Sequence, residues 1–191
     1  MNENIFFDLN RLKSVGKNVI IGKTVRIRYP ELVEIGDNVI IDDFVYISTS
    51  LKIHSYVHIS SGCKIIGGKK SLVEFRDFST LSPNVVLAAG SDDYMGGMAT
   101  PLVDDEFKGN VEHGHIILNK HCIVGSNSVI LPNVVLNEGA CIGALSLVKT
   151  DVEPWGLYAG IPVKKIKIRE KDKIIKLEED FWKKVKKGNG K

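Results

Sequence analysis

The chain reads as an all-β coil of about six triangular turns, stacked on itself by parallel strand pairing. A long loop leaves one corner and a helix closes the C-terminal end. Three observations carry this reading. An apolar residue recurs every six positions, a second inward residue precedes it by two, and every interruption of the series falls at the same point of a turn.

The period begins at Val15, Ile21 and Ile27, and continues through Ile35, Ile41 and Ile47, then Ile53, Ile59 and Ile65. It resumes at Phe75, Leu81 and Leu87, again at Leu118, Val124 and Ile130, and ends with Leu136, Ile142 and Val148. Two positions before most of these stands a β-branched or small side chain, such as Val19, Val39, Cys63, Val85, Cys122 or Ala140. Residues two apart on a strand share a face, so each hexad supplies a short strand with both side chains directed inward. Gly, Asp, Asn, Ser and Lys fill the intervals, as in Ile35-Gly-Asp-Asn and Val124-Gly-Ser-Asn, and these are turn formers. At about 4.8 Å between stacked strands, six turns make a prism about 30 Å tall.

The elements follow in order. Residues 1–14 hold Ile5, Phe6, Phe7, Leu9 and Leu12, an apolar cap for the open base of the coil. Residues 15–152 are the coil. Insertions follow Ile27, Ile65 and Leu87, each after the third hexad of a turn, so all three emerge from one corner. The last is an excursion over residues 88–115, long enough to imply a functional loop. Residues 153–191 open with a Pro- and Gly-punctuated stretch and end in a helix with Ile174, Leu177, Phe181 and Val185 on one face.

Composition narrows the function classes. Hydrophobic residues are 43% and charged residues 26%, which suits an ordinary globular domain rather than a disordered chain. No apolar run reaches a membrane span, and the start lacks the pattern of a signal peptide. Cys63, Cys122 and Cys141 show neither a disulfide framework nor a CxxC zinc pattern, so a reducing cytoplasm is expected. Residues 164–191 carry twelve Lys and Arg against five acids, while residues 1–163 carry fourteen against eighteen. A basic tail on an acidic body fits a phosphorylated ligand; nucleic acid is not expected, since the tail lacks interleaved aromatics apart from Trp182.

Hexads of this form, closed by Ala159-Gly-Ile-Pro, resemble the hexapeptide-repeat acyltransferases over roughly residues 15–170. Asn84 to Tyr94, His121-Cys-Ile-Val-Gly-Ser and Gly143-Ala-Leu-Ser-Leu-Val look most like the galactoside, maltose and surface-polysaccharide O-acetyltransferases. The resemblance implies a left-handed parallel β-helix and a homotrimer with acetyl-CoA in a groove between subunits. It implies transfer to a sugar or nucleotide-sugar acceptor, to oxygen more than to nitrogen. By position it puts Ser126 and Ala144 beside the pantetheine arm and Lys149, Lys164 and Lys167 toward the nucleotide phosphates.

Such enzymes take the acceptor's proton with a histidine near the start of the loop, where this chain has Asp92 followed by Asp93. His113 and His115 stand at the far end, and because the loop leaves and returns at one corner, its stems are expected to meet. An Asp92 carboxylate orienting the His115 imidazole would make a competent base, with Asp93 and His113 beside it. The same acids can instead cap the loop. His54, His58 and His121 read as turn or outward residues, and no metal site is expected from their spacing. The rival readings are a xenobiotic acetyltransferase of the same fold and a non-catalytic β-helix scaffold.

Overall fold

The computed structural model describes residues 7–188. All eighteen hexad residues fall into three vertical rows. On the first face Val15, Ile35, Ile53, Phe75, Leu118 and Leu136 pair successively in parallel register. The second face stacks Ile21, Ile41, Ile59, Leu81, Val124 and Ile142, and the third Ile27, Ile47, Ile65, Leu87, Ile130 and Val148. Seventeen of the eighteen are buried; Val15, in the lowest coil, is 36% exposed because none of the described residues pairs beneath it.

The inner row two residues earlier is buried from Val19 onward as well, with Leu51, Ile116 and Val134 completing it. Cys63 and Cys122 lie in this row, and burial pushes their thiols up to about 11 and about 12. Both therefore act as small core side chains rather than as nucleophiles.

Corners turn through single residues with left-handed backbone angles. Asn occupies many of them (Asn18, Asn38, Asn84, Asn127 and Asn133), since its short side chain tolerates that region. Side chains also bond from coil to coil. Asp43 accepts from the Thr24 backbone N–H and hydroxyl at 2.8 Å each, which holds its carboxyl below the usual carboxylate range.

Phe7 and Leu9, the latter opening the 3-10 turn Leu9–Arg11, pack against the core, and Leu12 is buried in it. Ile5 and Phe6, the other expected members of the cap, lie outside the described residues. At the other end the coil runs further than the hexad count implies. Val152 bridges to Leu136, and strand Gly156–Gly160 adds Tyr158 to the second-face row, beginning a seventh turn. This strand doubles back through cis Ile161-Pro162 into strand Val163–Ile168, which pairs with it antiparallel. Helix α1, Lys171–Gly188, follows.

α1 lies along the first corner over a column of aromatic rings. Tyr56 stacks on Phe78 at 5.1 Å, Phe78 on His121 at 5.3 Å, and Trp155 tilts over His121 at 6.0 Å. Phe181 and Trp182 meet Tyr56 and Phe78 edge-on. Two expectations are corrected here. His121 is 8% exposed rather than a surface residue, because it belongs to this column. Leu177 is 62% exposed, because the docked face runs through Ile174, Glu178, Phe181, Trp182 and Val185.

Candidate active site

The three insertions meet at the third corner and build one open cleft of about 1020 Å³. The first supplies Arg28 and Tyr29, the second Lys69 and Lys70, and the excursion Asp92 and His113. Four of the lining groups are cationic (Arg28, Lys69, Lys70, Lys108) and two are acidic (Asp92, Asp105). The Tyr29 ring lies 5.4 Å from the Arg28 guanidinium and 4.9 Å from the Lys69 ammonium. Gly67, Gly68 and Gly90 form part of the lining, and beyond Gly68 nothing would meet a side chain. The cleft can therefore admit a bulky anionic group close to the backbone.

The stems of the excursion meet as the topology requires, with Gly90 opposite His113 and Ser91 opposite Glu112 in an antiparallel pair. Asp93 organises the loop from within. Its carboxylate accepts from the Asn110, Met95 and Gly96 backbone N–H groups at 2.9, 2.9 and 3.0 Å, and these bonds hold it below the usual carboxylate range. Asp92 and His113 line the cleft together. His115 starts strand His115–Leu118, where its backbone N–H donates to Asn133 at 3.2 Å, and no hydrogen bond joins it to Asp92 among the described residues.

The second corner carries the other set. Ser126 and Ala144 occupy corresponding turn positions in successive coils, tied by the Leu145 N–H donating to the Ser126 carbonyl at 2.9 Å. Ala144 is exposed and Ser126 half-buried. Above them, Lys164 lies opposite Ala159 and Lys167 opposite Leu157 in the terminal hairpin. Both are exposed and free of ion pairs among the described residues, whereas Lys165 between them is bound to Glu153 at 2.8 Å. Lys149 follows strand Leu147–Val148 into the third corner, away from Ser126 and Ala144.

Three histidines find carboxylates. His54 pairs with Glu74 at 2.7 Å, His58 with Asp42 at 2.8 Å and His121 with Glu178 at 2.8 Å. Sequence reasoning missed these pairs because each joins residues 16 to 57 positions apart. Among the described residues no group of three or more His, Cys, Asp or Glu could hold a metal ion. No described helix is long and apolar enough to cross a membrane.

No family model matches the chain. Over 173 residues, 88% of each chain, it is 40% identical to the dTDP-4-amino-4,6-dideoxy-D-glucose acyltransferase of Escherichia coli. The chain belongs to the hexapeptide-repeat acyltransferases. The structure of AntD, an N-acyltransferase from Bacillus cereus, in complex with dTDP and 3-hydroxybutyryl-CoA superposes with a TM-score of 0.89 and 39% identity. That match covers 96% of this chain and all of that one. The coil is thus the left-handed parallel β-helix of this family. A maltose O-acetyltransferase from Clostridium difficile 630 shares that fold at a TM-score of 0.55 and 20% identity, covering 85% of this chain and 73% of that one. This acyltransferase accordingly keeps the family's architecture, with Asp92 and Asp93 at the start of its excursion.

Proposed function

We propose that this acyltransferase moves an acyl group from coenzyme A to the amino group of a nucleotide-linked amino sugar, for surface-polysaccharide synthesis. The observation that carries the reading is the third-corner cleft. It gathers four cations against two acids and a cation-flanked tyrosine, on a body in which residues 1–163 are net acidic. A nucleoside diphosphate offers two phosphates and a flat base, which those groups suit. A point mutant of AntD, an N-acyltransferase, has been solved with dTDP-4-amino-4,6-dideoxyglucose and coenzyme A, which supports nitrogen rather than oxygen as the acceptor atom.

In this reading the working unit is a homotrimer in the cytoplasm, where free thiols such as Cys63, Cys122 and Cys141 persist. The coil 15–152 above its 1–14 cap carries the site. The excursion 88–115 walls the acceptor cleft, with Asp92 and His113 directed to the sugar. Segment 153–191 supplies Lys164 and Lys167 to the co-substrate phosphates, and the pantetheine passes Ser126 and Ala144 at a subunit boundary. Lys149 and His115 stand outside both constellations.

The chemistry is one displacement. The neutral amine attacks the thioester carbonyl, the C–N bond forms, the C–S bond breaks, and the amine proton ends on the coenzyme A thiol.

Thiol release with a panel of nucleotide-linked amino sugars, nucleotide-linked hexoses and free hexoses tests it, run with acetyl-CoA and 3-hydroxybutyryl-CoA. Turnover confined to the amino sugars is expected. Equal turnover with free hexoses would overturn the acceptor assignment, and the acyl panel fixes which thioester is used.

A further inference from the structure

Behind the third-corner cleft lies a buried hydroxyl without a partner. Ser71 is 1% exposed, and its Oγ makes no hydrogen bond among the described residues. On the acceptor class proposed above, we infer that this hydroxyl is a ligand group: with Arg28 and Lys70 it binds the diphosphate of the nucleotide-linked acceptor.

Other buried hydroxyls are spent inside the fold. Thr49 Oγ1 donates to the Gly68 and Ser71 carbonyls at 3.1 and 2.9 Å, and Ser79, Ser128 and Ser146 each donate to a carbonyl at 2.6, 2.9 and 3.3 Å. An unpaired buried hydroxyl costs stability, so Ser71 is a liability in the ligand-free protein.

Its surroundings point to the cleft. Ser71 ends the run Gly67-Gly68-Lys69-Lys70-Ser71 of the second insertion, and the four residues before it all line the cleft. Gly90, on the excursion stem, lines it too. A side-chain carbon built on Gly90 would stand 3.1 Å from Ser71 Oγ, and one built on Gly67 would stand 2.8 Å from Ser71 Cβ. The hydroxyl therefore sits directly behind two cleft-lining glycines, whose lack of side chains leaves it thinly covered. Its Oγ is closed to solvent in the free protein, so contact requires the Gly67-Gly68 segment to shift, and beyond Gly68 the space is open.

Charge selects the ligand. Of the four cleft cations, Lys108 is paired with Asp105 at 2.7 Å and Lys69 stands 3.6 Å from Glu31. Arg28 and Lys70 form no ion pair among the described residues. A nucleotide-linked sugar carries one negative charge on each phosphate, which these two cations match. Asp92, the remaining acid of the cleft, is left for the sugar's amino group. A phosphate oxygen only accepts, so Ser71 donates, and a donor hydroxyl adds a bond without adding charge. The Tyr29 ring, between Arg28 and Lys69, stands beside the same turn and suits the base.

The test measures dTDP binding by titration calorimetry, with coenzyme A saturating so that its own groove is filled, alongside thermal melts of the ligand-free protein. For Ser71→Ala, the Kd for dTDP is expected to rise about tenfold or more, since a hydrogen bond to a charged group is lost. The ligand-free Tm should stay level or rise, because an unpaired buried hydroxyl has been removed. A hydroxyl that served only the fold would give the reverse, a lower Tm and an unchanged Kd. Thymidine, which lacks phosphates, should bind both proteins alike; an equal loss for thymidine would overturn the phosphate contact. Lys70→Gln should weaken dTDP binding more at low salt than at high, and a salt-independent change would remove Lys70 from the site. In the thiol-release assay Ser71→Ala should raise KM for dTDP-4-amino-4,6-dideoxyglucose about tenfold, with kcat and KM for acyl-CoA within about threefold. Wild-type affinity for dTDP in Ser71→Ala, or a lower Tm, would overturn the assignment and leave the acceptor class standing. If the wild type binds dTDP but acylates no nucleotide-linked amino sugar, the acceptor class falls and the Ser71 result stands. A wild type that binds no dTDP overturns both.

Discussion

Glu178 is expected to lock α1 onto the coil, and its removal should be read most clearly as a function of pH. The carboxylate accepts from Lys120 Nζ at 2.6 Å, His121 Nε2 at 2.8 Å and Trp182 Nε1 at 2.9 Å. Burial pushes its pKa up, but the bonds from Lys120, Trp182 and His121 outweigh that and bring it down from 4.5 to about 2. At about 1.36 kcal/mol per pH unit this corresponds to about 3 kcal/mol, and partial solvent screening at the helix edge reduces it to about 1–2 kcal/mol. Because the folded-state pKa is depressed, the stabilisation is complete above about pH 4.5 and is lost as pH falls toward 2. Glu178→Gln keeps the shape but removes the charge. Thermal melts at pH 7 should show a Tm lower by about 2–8 °C, since 1 kcal/mol moves a chain of this size by about 2–4 °C. The gap should close as pH falls from 4.5 toward 2 in parallel melts. A gap unchanged at pH 2.5, or no gap at pH 7, would refute the reasoning.

Four further outcomes are expected. Phe75→Ala empties a fully buried aromatic site and should cost about 3–5 kcal/mol in urea unfolding. Gly139→Ala places a methyl group against the Trp155 ring at a φ of 70° and should cost about 2–4 kcal/mol, while a surface Gly68→Ala control costs about 1 kcal/mol. Lys164→Glu should raise KM for acyl-CoA several-fold, more at low salt than at high, with kcat little changed; a salt-independent effect would remove Lys164 from the phosphate site. Asp93→Ala releases the N–H groups of Met95, Gly96 and Asn110, so limited proteolysis should cut faster within residues 92–111 while the global melting transition stays in place.

The rows of the coil were legible because the structure repeats along the chain. Each hexad meets the same environment as the hexad one turn away, so Ile21, Ile41 and Ile59 carry one local constraint three times. The common corner of the insertions was legible for the same reason, and with it the closed stems at Gly90 and His113. The extra coil was not, because its second-face strand places Tyr158, rather than an aliphatic residue, above Ile142.

The aromatic column left a trace that a period-of-six search passes over. The residue three positions after each first-face row residue runs Asn18, Asn38, Tyr56, Phe78, His121, Gly139 and Trp155. The change from Asn to rings marks where a partner covers the corner, and Gly139 makes room for the indole. Which face of α1 fills that place could not be read from its own periodicity, since Leu177 and Phe181 share one helical stripe and only Phe181 is docked.

Periodicity, turn chemistry and the place of the breaks are local properties, and the chain alone decided them: a three-faced coil, one corner that carries all three insertions and a C-terminal helix. The partnerships of polar groups are another matter. Asp93 capping the loop, Asp42 holding His58 and Glu178 gathering Lys120, His121 and Trp182 depend on which coils stack and where the helix lies. A hydrogen bond forms only within about 3 Å, and sequence spacing does not encode that distance between residues tens of positions apart. Tertiary structure therefore decided which carboxylates orient, which cap and which lock.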